Sequence, residues 1–97
     1  MLVRIVKMTF KHENIASFER IFEMHRGKIR AFEGCSFLEL YQDEKQRNVF
    51  FTYSHWEHAD FLEAYRKSEL FMGVWAKTKV LFSKKPEAWS LTKVQEN

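Results

Sequence analysis

Residues 53–71 of the chain read YSHWEHADFLEAYRKSELF, and this stretch decides the fold. Its first residues alternate as a strand does, and a helical pattern opens at Trp56, so a strand runs directly into an amphipathic helix. Ser54 followed by Glu57 fits a capping box at the start of that helix, although an N-cap one or two residues later fits equally well. The apolar face of the helix consists of Phe61, Leu62 and Tyr65.

The N-terminal side of this stretch contains the first strand and the first helix. Residues 2–10 are rich in β-formers and predict a strand. Apolar residues then recur at spacings of three and four, which predicts a helix of about five turns that ends at Gly34. The helical stripe consists of Ile15, Phe18, Phe22, His25, Ile29 and Phe32.

The rest of the chain contains a predicted hairpin, a second helical region and a last strand. Residues 35–41 and 49–55 predict two strands of a hairpin joined by a polar turn. Ser68 predicts a break in the second helical region or a new N-cap, and Pro86 marks the end of that region. Residues 87–94 predict the last strand. The continued helical stripe consists of Phe71, Val74, Trp75, Thr78 and Phe82.

The predicted order β-α-β-β-α-β indicates an α+β fold of the ferredoxin-like type, with a four-stranded antiparallel sheet and one domain over residues 1–97. Both helices of that fold lie on one face of the sheet. The strands are nevertheless apolar on both faces: the first strand offers Val3 and Ile5 on one side, and Val6 and Met8 on the other. A second copy is the economical cover for the open face, so we expect a homodimer, an α/β barrel in which two sheets face each other.

Composition limits the classes of function. The net charge is +3, but the 16 basic residues are dispersed among 13 acidic ones, so no nucleic-acid partner is expected. One cysteine, Cys35, rules out an intrachain disulfide. No apolar run reaches the length of a membrane span or of a secretory signal, so we expect no membrane partner and a cytoplasmic location. With only three glycines the chain has no dinucleotide motif, and no cofactor is expected.

Two segments carry a resemblance to a known family. IRAFEGC at residues 29–35 and FFTYSHWEHADFLEAYRKSELF at residues 50–71, with its strand-Trp-helix pattern and following Ser-x-x-Phe, resemble the antibiotic biosynthesis monooxygenase (ABM) superfamily of dimeric α/β barrels. The resemblance implies cofactor-independent oxygenation of quinols or polyketides, heme degradation, or a protein with no assigned activity. The heme-degrading branch has an Asn on strand one, a Trp in helix two and a His ten residues later. This chain has no such Asn, and it has Tyr65 and Trp75 at the other two places, so we do not expect heme degradation.

Two residues are candidates for catalysis. His25 interrupts an apolar helical stripe, and an imidazole is the natural general base near neutral pH; the alternative is a half-buried histidine that is satisfied by a backbone carbonyl. Tyr65 could orient a phenol or carry a proton, or it could simply leave its hydroxyl at the surface. We expect a pocket for a small aromatic molecule, unless the same side chains merely form core. The candidate pocket wall is Trp56, Phe71, Trp75, Met24 and Phe51.

Other polar residues are weaker candidates. His55 and His58 with Glu57 could bind a metal, but His55 can equally belong to the strand, and no metal site is expected. Arg4 and Lys7 on strand one could neutralise an anionic ligand or could simply be solvated.

Two functions fit these observations. The first is a cofactor-independent monooxygenase of a small aromatic, quinol-type or polyketide-like substrate, with His25 as base. The second is a non-catalytic dimeric module that binds a small aromatic ligand or a protein. Convergence of His25 and Tyr65 on one pocket would favour catalysis, and their separation would favour the binding module.

Overall fold

The computed structural model describes residues 1–96, which form four strands and three helices. The strands are β1 (Leu2–Thr9), β2 (Cys35–Gln42), β3 (Val49–Trp56) and β4 (Glu87–Thr92). The helices are α1 (Ile15–Arg30), α2 (Ala59–Arg66) and α3 (Glu69–Lys79), and a short 3-10 turn at His12–Asn14 precedes α1.

The strands form one sheet in the order β2-β3-β1-β4, and every neighbouring pair is antiparallel. Helix α1 packs on β2 and on α3, and α2 packs on β3. The α+β, ferredoxin-like prediction is therefore confirmed. The predicted break at Ser68 is also present, because the second helical region consists of two helices, and the Ser68 hydroxyl caps the second by accepting from the backbone N–H of Phe71 at 3.1 Å.

The predicted capping box at the start of α2 is wrong. Ser54 remains in β3, where its hydroxyl accepts a 3.0 Å hydrogen bond from the indole Nε1–H of Trp56. The N-cap is His58, whose Nδ1 accepts from the backbone N–H of Asp60 at 3.1 Å. The helix begins later than the sequence indicated because β1 pairs with β3 as far as Trp56.

Gly34 closes the turn between α1 and β2. Its φ is +88°, in the left-handed region that favours glycine, and its carbonyl accepts from the backbone N–H of Glu57 at 2.8 Å. A Cβ at this position would lie 2.2 Å from the Phe61 side chain. The close approach joins the α1–β2 turn to the start of α2, and thus holds α2 near the end of β3.

The core between the sheet and the helices has two separate clusters. One contains Met8, Phe10, Phe18 and Phe50. The other contains Cys35, Trp56 and Leu62, with Tyr65, Phe32 and Phe61 packed against it. Aromatic rings dominate both, and rigid rings that meet at fixed angles leave space that aliphatic side chains would fill.

The opposite face of the sheet also carries large apolar side chains. Ile5 lies at its centre, opposite Tyr53 on β3 and Trp89 on β4. Trp89 is 41% exposed and Leu91, at the β4 end of this face, is 46% exposed. We call this surface the open face; besides these four residues it includes Phe37, Tyr41 and Phe51.

Candidate functional site

A cavity of about 290 Å³ lies between the sheet and the three helices. Members of both core clusters line it, including Phe18 of the first and Trp56 and Leu62 of the second, so both clusters border the cavity. Its volume is at the lower end of the range of roughly 300–1,000 Å³ for ligand sites, which suits a ligand of one or two rings. The walls are mostly apolar, as expected of a site for a small aromatic molecule.

Trp56 forms one wall of this cavity. The side chain is 1% exposed and packs against Cys35 and Leu62, so it attaches α2 to the sheet. Its Nε1–H donates to the Ser54 hydroxyl, which also faces the cavity. The indole is therefore fixed at one edge by a hydrogen bond and on its face by packing.

Tyr65 lies on α2 and also lines the cavity. Its ring stacks on the Trp56 indole and meets Phe32 and Phe71 edge-on, with centroids 5.3 and 5.2 Å away. Burial raises the pKa of the Tyr65 hydroxyl, and the Cys35 thiol adds to the effect. The hydroxyl is therefore neutral across the ordinary pH range. It can donate a hydrogen bond to a ligand but cannot serve as a base near neutral pH.

Helix α3 contributes a second aromatic wall. Phe71 and Trp75, one turn apart, stack with centroids 5.7 Å apart and planes 13° apart, and both line the cavity. Phe71 meets Tyr65, and Trp75 meets Phe82, so ring contacts continue from one core cluster to the other. Four of the side chains expected to form the site, Trp56, Tyr65, Phe71 and Trp75, are thus brought together.

Two other expected wall residues lie elsewhere, and this expectation is corrected. Met24 is 72% exposed on the outer side of α1, where it borders a shallow surface groove beside β2. Met24 comes directly after Glu23, and both residues lie on the exposed side of α1 rather than on its apolar stripe. Phe51 has the opposite parity to Thr52 and Ser54, which line the cavity, and it therefore lies on the open face.

His25 does not line the cavity either. Its Nδ1 lies 2.8 Å from the Ile21 carbonyl oxygen one turn earlier in α1, and because a carbonyl only accepts, Nδ1 donates. This is the arrangement of a histidine satisfied by its own helix. His25 and Tyr65 are thus not assembled as an acid–base pair around this cavity.

The sequence interpretation named Arg4 as a residue that could neutralise an anionic ligand, but it missed the other polar residues of the cavity. Arg4 on β1 and Arg66 at the end of α2 both line it, together with the hydroxyl residues Thr52 and Ser54. The parity of Arg4 agrees with that candidate role, because Arg4 lies on the same side of β1 as Val6 and Met8, which also line the cavity. Arg66 gave no such signal, since it lies among charged residues at an exposed helix end.

The two histidines near the β3–α2 junction belong to different elements. His55 lies on the open face between Phe37 and Tyr53, and its Nε2 is buried without a hydrogen-bond partner among residues 1–96. His58 caps α2. Within the described part of the chain, no group of three or more His, Cys, Asp or Glu side chains could hold a metal ion. Over the same residues, no helix is both long enough and apolar enough to cross a membrane.

Comparison with known families gives one decisive result. The family model of the antibiotic biosynthesis monooxygenases matches residues 1–74, about three quarters of the chain. The chain belongs to the antibiotic biosynthesis monooxygenase family. The resemblance inferred from the strand-Trp-helix pattern is thereby confirmed. No curated protein matches the chain significantly.

Solved structures share the fold of this family member. A crystal structure of an antibiotic biosynthesis monooxygenase superimposes with a TM-score of 0.92 at 19% identity, covering 98% of this chain and 100% of the other. A conserved protein from Methanosarcina mazei gives 0.89 at 19%, covering 96% and 93%. PA3566 from Pseudomonas aeruginosa gives 0.86 at 21%, covering 97% and 94%. At these identities the likeness establishes the fold, and the chemistry of this antibiotic biosynthesis monooxygenase family member depends on its own cavity.

Proposed function

We propose that this chain is a cofactor-independent monooxygenase that acts on a small electron-rich aromatic, such as a hydroquinone or an anthrone. The observation that carries the proposal is the aromatic-walled cavity of about 290 Å³, with Tyr65 among its lining residues, in a member of a monooxygenase family. A cavity of this size accommodates one small ring system and leaves little room beside it for a flavin.

The proposed reaction uses the substrate itself as reductant. Loss of a proton to bulk water gives an enolate or phenolate, which can pass an electron directly to O2. One oxygen atom then enters the product and the other leaves as water. For an anthrone-type methylene the balance is R–CH2–R′ + O2 → R–CO–R′ + H2O. For a hydroquinone the product is a hydroxyquinone and water.

The cavity supports two requirements of this chemistry. Its rings exclude water from a reactive anion, and a water-poor surrounding strengthens each electrostatic contact with it. Tyr65, kept neutral because burial raises its pKa, can donate a hydrogen bond to the substrate oxyanion. In this proposal Tyr65 therefore stabilises the anion, and the ring stack of Trp56 and Tyr65 orients the substrate.

One observation favours the binding module as the second candidate function. The expected base, His25, hydrogen-bonds to its own helix, and the ionisable side chains around the cavity are two arginines, Tyr65 and Glu87. The carboxylate of Glu87 pairs with Lys7, 3.9 Å away. A cavity without an evident base could hold an aromatic ligand without transforming it.

The proposed working form is a homodimer joined through the open face. Trp89 and Leu91 leave much of their apolar surface exposed there, and Ile5 and Tyr53 lie beside them on the neighbouring strands. A second copy would remove this surface from water at a gain of roughly 25 cal/mol per Å² of apolar area. The helices of the same chain already occupy the other face, so they are not the cover.

Oxygen uptake with a panel of hydroquinones and anthrones tests the proposal. Boiled protein corrects for autoxidation, and Tyr65→Phe tests the site. Uptake above both controls, with one atom of ¹⁸O from ¹⁸O2 in the product, is the expected result. Uptake equal to boiled protein across the panel, with ligand binding still measurable by calorimetry, would instead establish the binding module.

A further inference from the structure

Two arginines from different elements line the same cavity. Arg4 is on the helix-facing side of the central strand β1, and Arg66 is the last residue of α2. Arg66 is exposed, which places it where the cavity reaches solvent. Glu87, the remaining charged residue at the cavity, is opposite Lys7 in the β1–β4 pair, and its carboxylate pairs with Lys7. The charge that faces the cavity is therefore positive.

Neither arginine is firmly neutralised by the chain. Arg4 donates from Nη1 to the Ser90 hydroxyl at 2.9 Å, and no carboxylate among residues 1–96 forms an ion pair with it. Arg66 Nη1 lies 3.6 Å from Glu63 Oε2, but Glu63 is shared with Lys67, whose Nζ is 3.8 Å from the other carboxylate oxygen. The one carboxylate thus serves two exposed cations at the end of the helix.

The arrangement is electrostatically unfavourable without a ligand. Burial lowers the pKa of Arg4 and the positive charge of Arg66 lowers it further, while Glu63 opposes the change. A half-buried cation that faces a like charge is costly, and an anion placed between the two would remove that cost. The planar fork of donors on each guanidinium matches the two oxygens of a carboxylate.

We propose that Arg4 and Arg66 form an anion subsite that binds the carboxylate of a small aromatic acid, while its ring occupies the cavity beside Trp56 and Tyr65. The proposal deepens the proposed function and rests on it for the fate of the ligand: the substrate is an electron-rich aromatic that carries an acidic group. The binding of such an acid does not itself depend on catalysis.

Calorimetric titration with two isosteric probes tests the subsite. 1-Naphthoate carries the carboxylate, and 1-naphthamide replaces it with a neutral amide of the same shape. The proteins are the native chain, Arg4→Gln, Arg66→Gln and, as a matched control, Arg47→Gln in the exposed β2–β3 turn. Circular dichroism of each variant checks the fold. Arg66 is exposed, so Arg66→Gln should fold and still tests the subsite if Arg4→Gln does not fold.

The native chain and Arg47→Gln are expected to bind the carboxylate about tenfold or more tightly than the amide, because hydrogen bonds to charged groups are the stronger class. Each cavity variant is expected to lose most of that preference while its affinity for the amide stays the same. Equal affinity of the native chain for both probes would overturn the subsite. Oxygen uptake with neutral hydroquinones is measured separately, so loss of the subsite and loss of the proposed activity are distinguishable.

Discussion

The indole of Trp56 and the phenol ring of Tyr65 stack with centroids 5.1 Å apart and planes 30° apart. Trp56 ends β3 and Tyr65 lies near the end of α2, so the stack joins the sheet to the helix directly beside the cavity. One contact thus serves the fold and the site together. Removing the hydroxyl of Tyr65 while keeping its ring separates the role of this residue in the site from its role in the fold.

Tyr65→Phe is expected to lower oxygen uptake by about 100-fold, the cost of losing one donor to an oxyanion. Stability is expected to change by less than about 1 kcal/mol, because the stack is kept and the hydroxyl has no hydrogen-bond partner among residues 1–96. Steady-state uptake and urea unfolding measure the two effects. Tyr53→Phe, on the open face, is the matched control and should retain activity. Unchanged uptake in Tyr65→Phe would remove Tyr65 from the mechanism.

His25→Ala is expected to keep oxygen uptake within about twofold, because removal of a general base costs 100-fold or more and His25 is not at the cavity. It should lose about 1 kcal/mol of stability with the hydrogen bond to the Ile21 carbonyl. His12→Ala, at an exposed position before α1, is the control for both measurements. A 100-fold loss of uptake in a folded His25→Ala protein would restore the sequence-based assignment of His25 as base.

The free energy of unfolding is expected to fall in alkaline solution. Burial raises the pKa of both Tyr65 and the Cys35 thiol above their ordinary values of 10.0 and 9.0. The unfolded chain therefore releases these protons first, so their stabilising contribution is complete below pH 9 and is lost as the pH rises through the folded-state values. Urea unfolding at a series of pH values from about 8 to 11 measures the slope.

A matched variant isolates the contribution of Tyr65 to that slope. Tyr65→Phe cannot ionise, so its stability should fall less steeply than that of the native chain above pH 10, the ordinary tyrosine value. Identical slopes in the two proteins would mean that burial does not perturb the Tyr65 hydroxyl. The argument that the hydroxyl acts only as a donor would then lose its basis.

Periodicity predicted most strands and helices well because each of them buries one regular face, although all six residues of β4 are exposed. It also identified the four aromatic residues of the cavity, since Trp56, Tyr65, Phe71 and Trp75 follow the core-facing phase. His25 and Met24 were misplaced for a related reason. A position near an apolar stripe can still turn a few tens of degrees away from the interior, and the sequence does not give that rotation.

Charged positions were harder to interpret. Arg4 shares the helix-facing parity of its strand, yet arginine is usually solvated, so composition favoured the surface. Arg66 approaches the cavity only because α2 ends where it does, a tertiary relationship without a local signal. Phe51 shows the converse problem: a phenylalanine in a strand is apolar whichever face it occupies, and only strand pairing determines that the face is the open one.

Gly34→Ala is expected to destabilise the chain by about 2–4 kcal/mol. A non-glycine residue in the left-handed region costs about 1–2 kcal/mol, and overpacking against Phe61 adds a similar amount. Gly27→Ala is the matched control: apart from the adjoining residues and backbone of α1 itself, no heavy atom lies within 4 Å of the added Cβ, so alanine should stabilise the helix by about 0.5–1 kcal/mol. The midpoint temperature of thermal unfolding should therefore fall in Gly34→Ala and rise in Gly27→Ala. A Gly34→Ala protein as stable as the native one would contradict the close approach of the turn to α2.

Ile5→Lys is expected to convert the proposed dimer into a monomer. Ile5 lies at the centre of the open face between Tyr53 and Trp89, where two lysines brought together by a two-fold axis would be desolvated and would repel each other. Met24→Lys is the control, since the same charge at an exposed site on α1 should leave the dimer intact. Light scattering at micromolar concentration gives the mass of each protein. A native chain that is monomeric in this measurement would refute the open face as a dimer interface, whereas an Ile5→Lys protein that stays dimeric would place the interface on another surface.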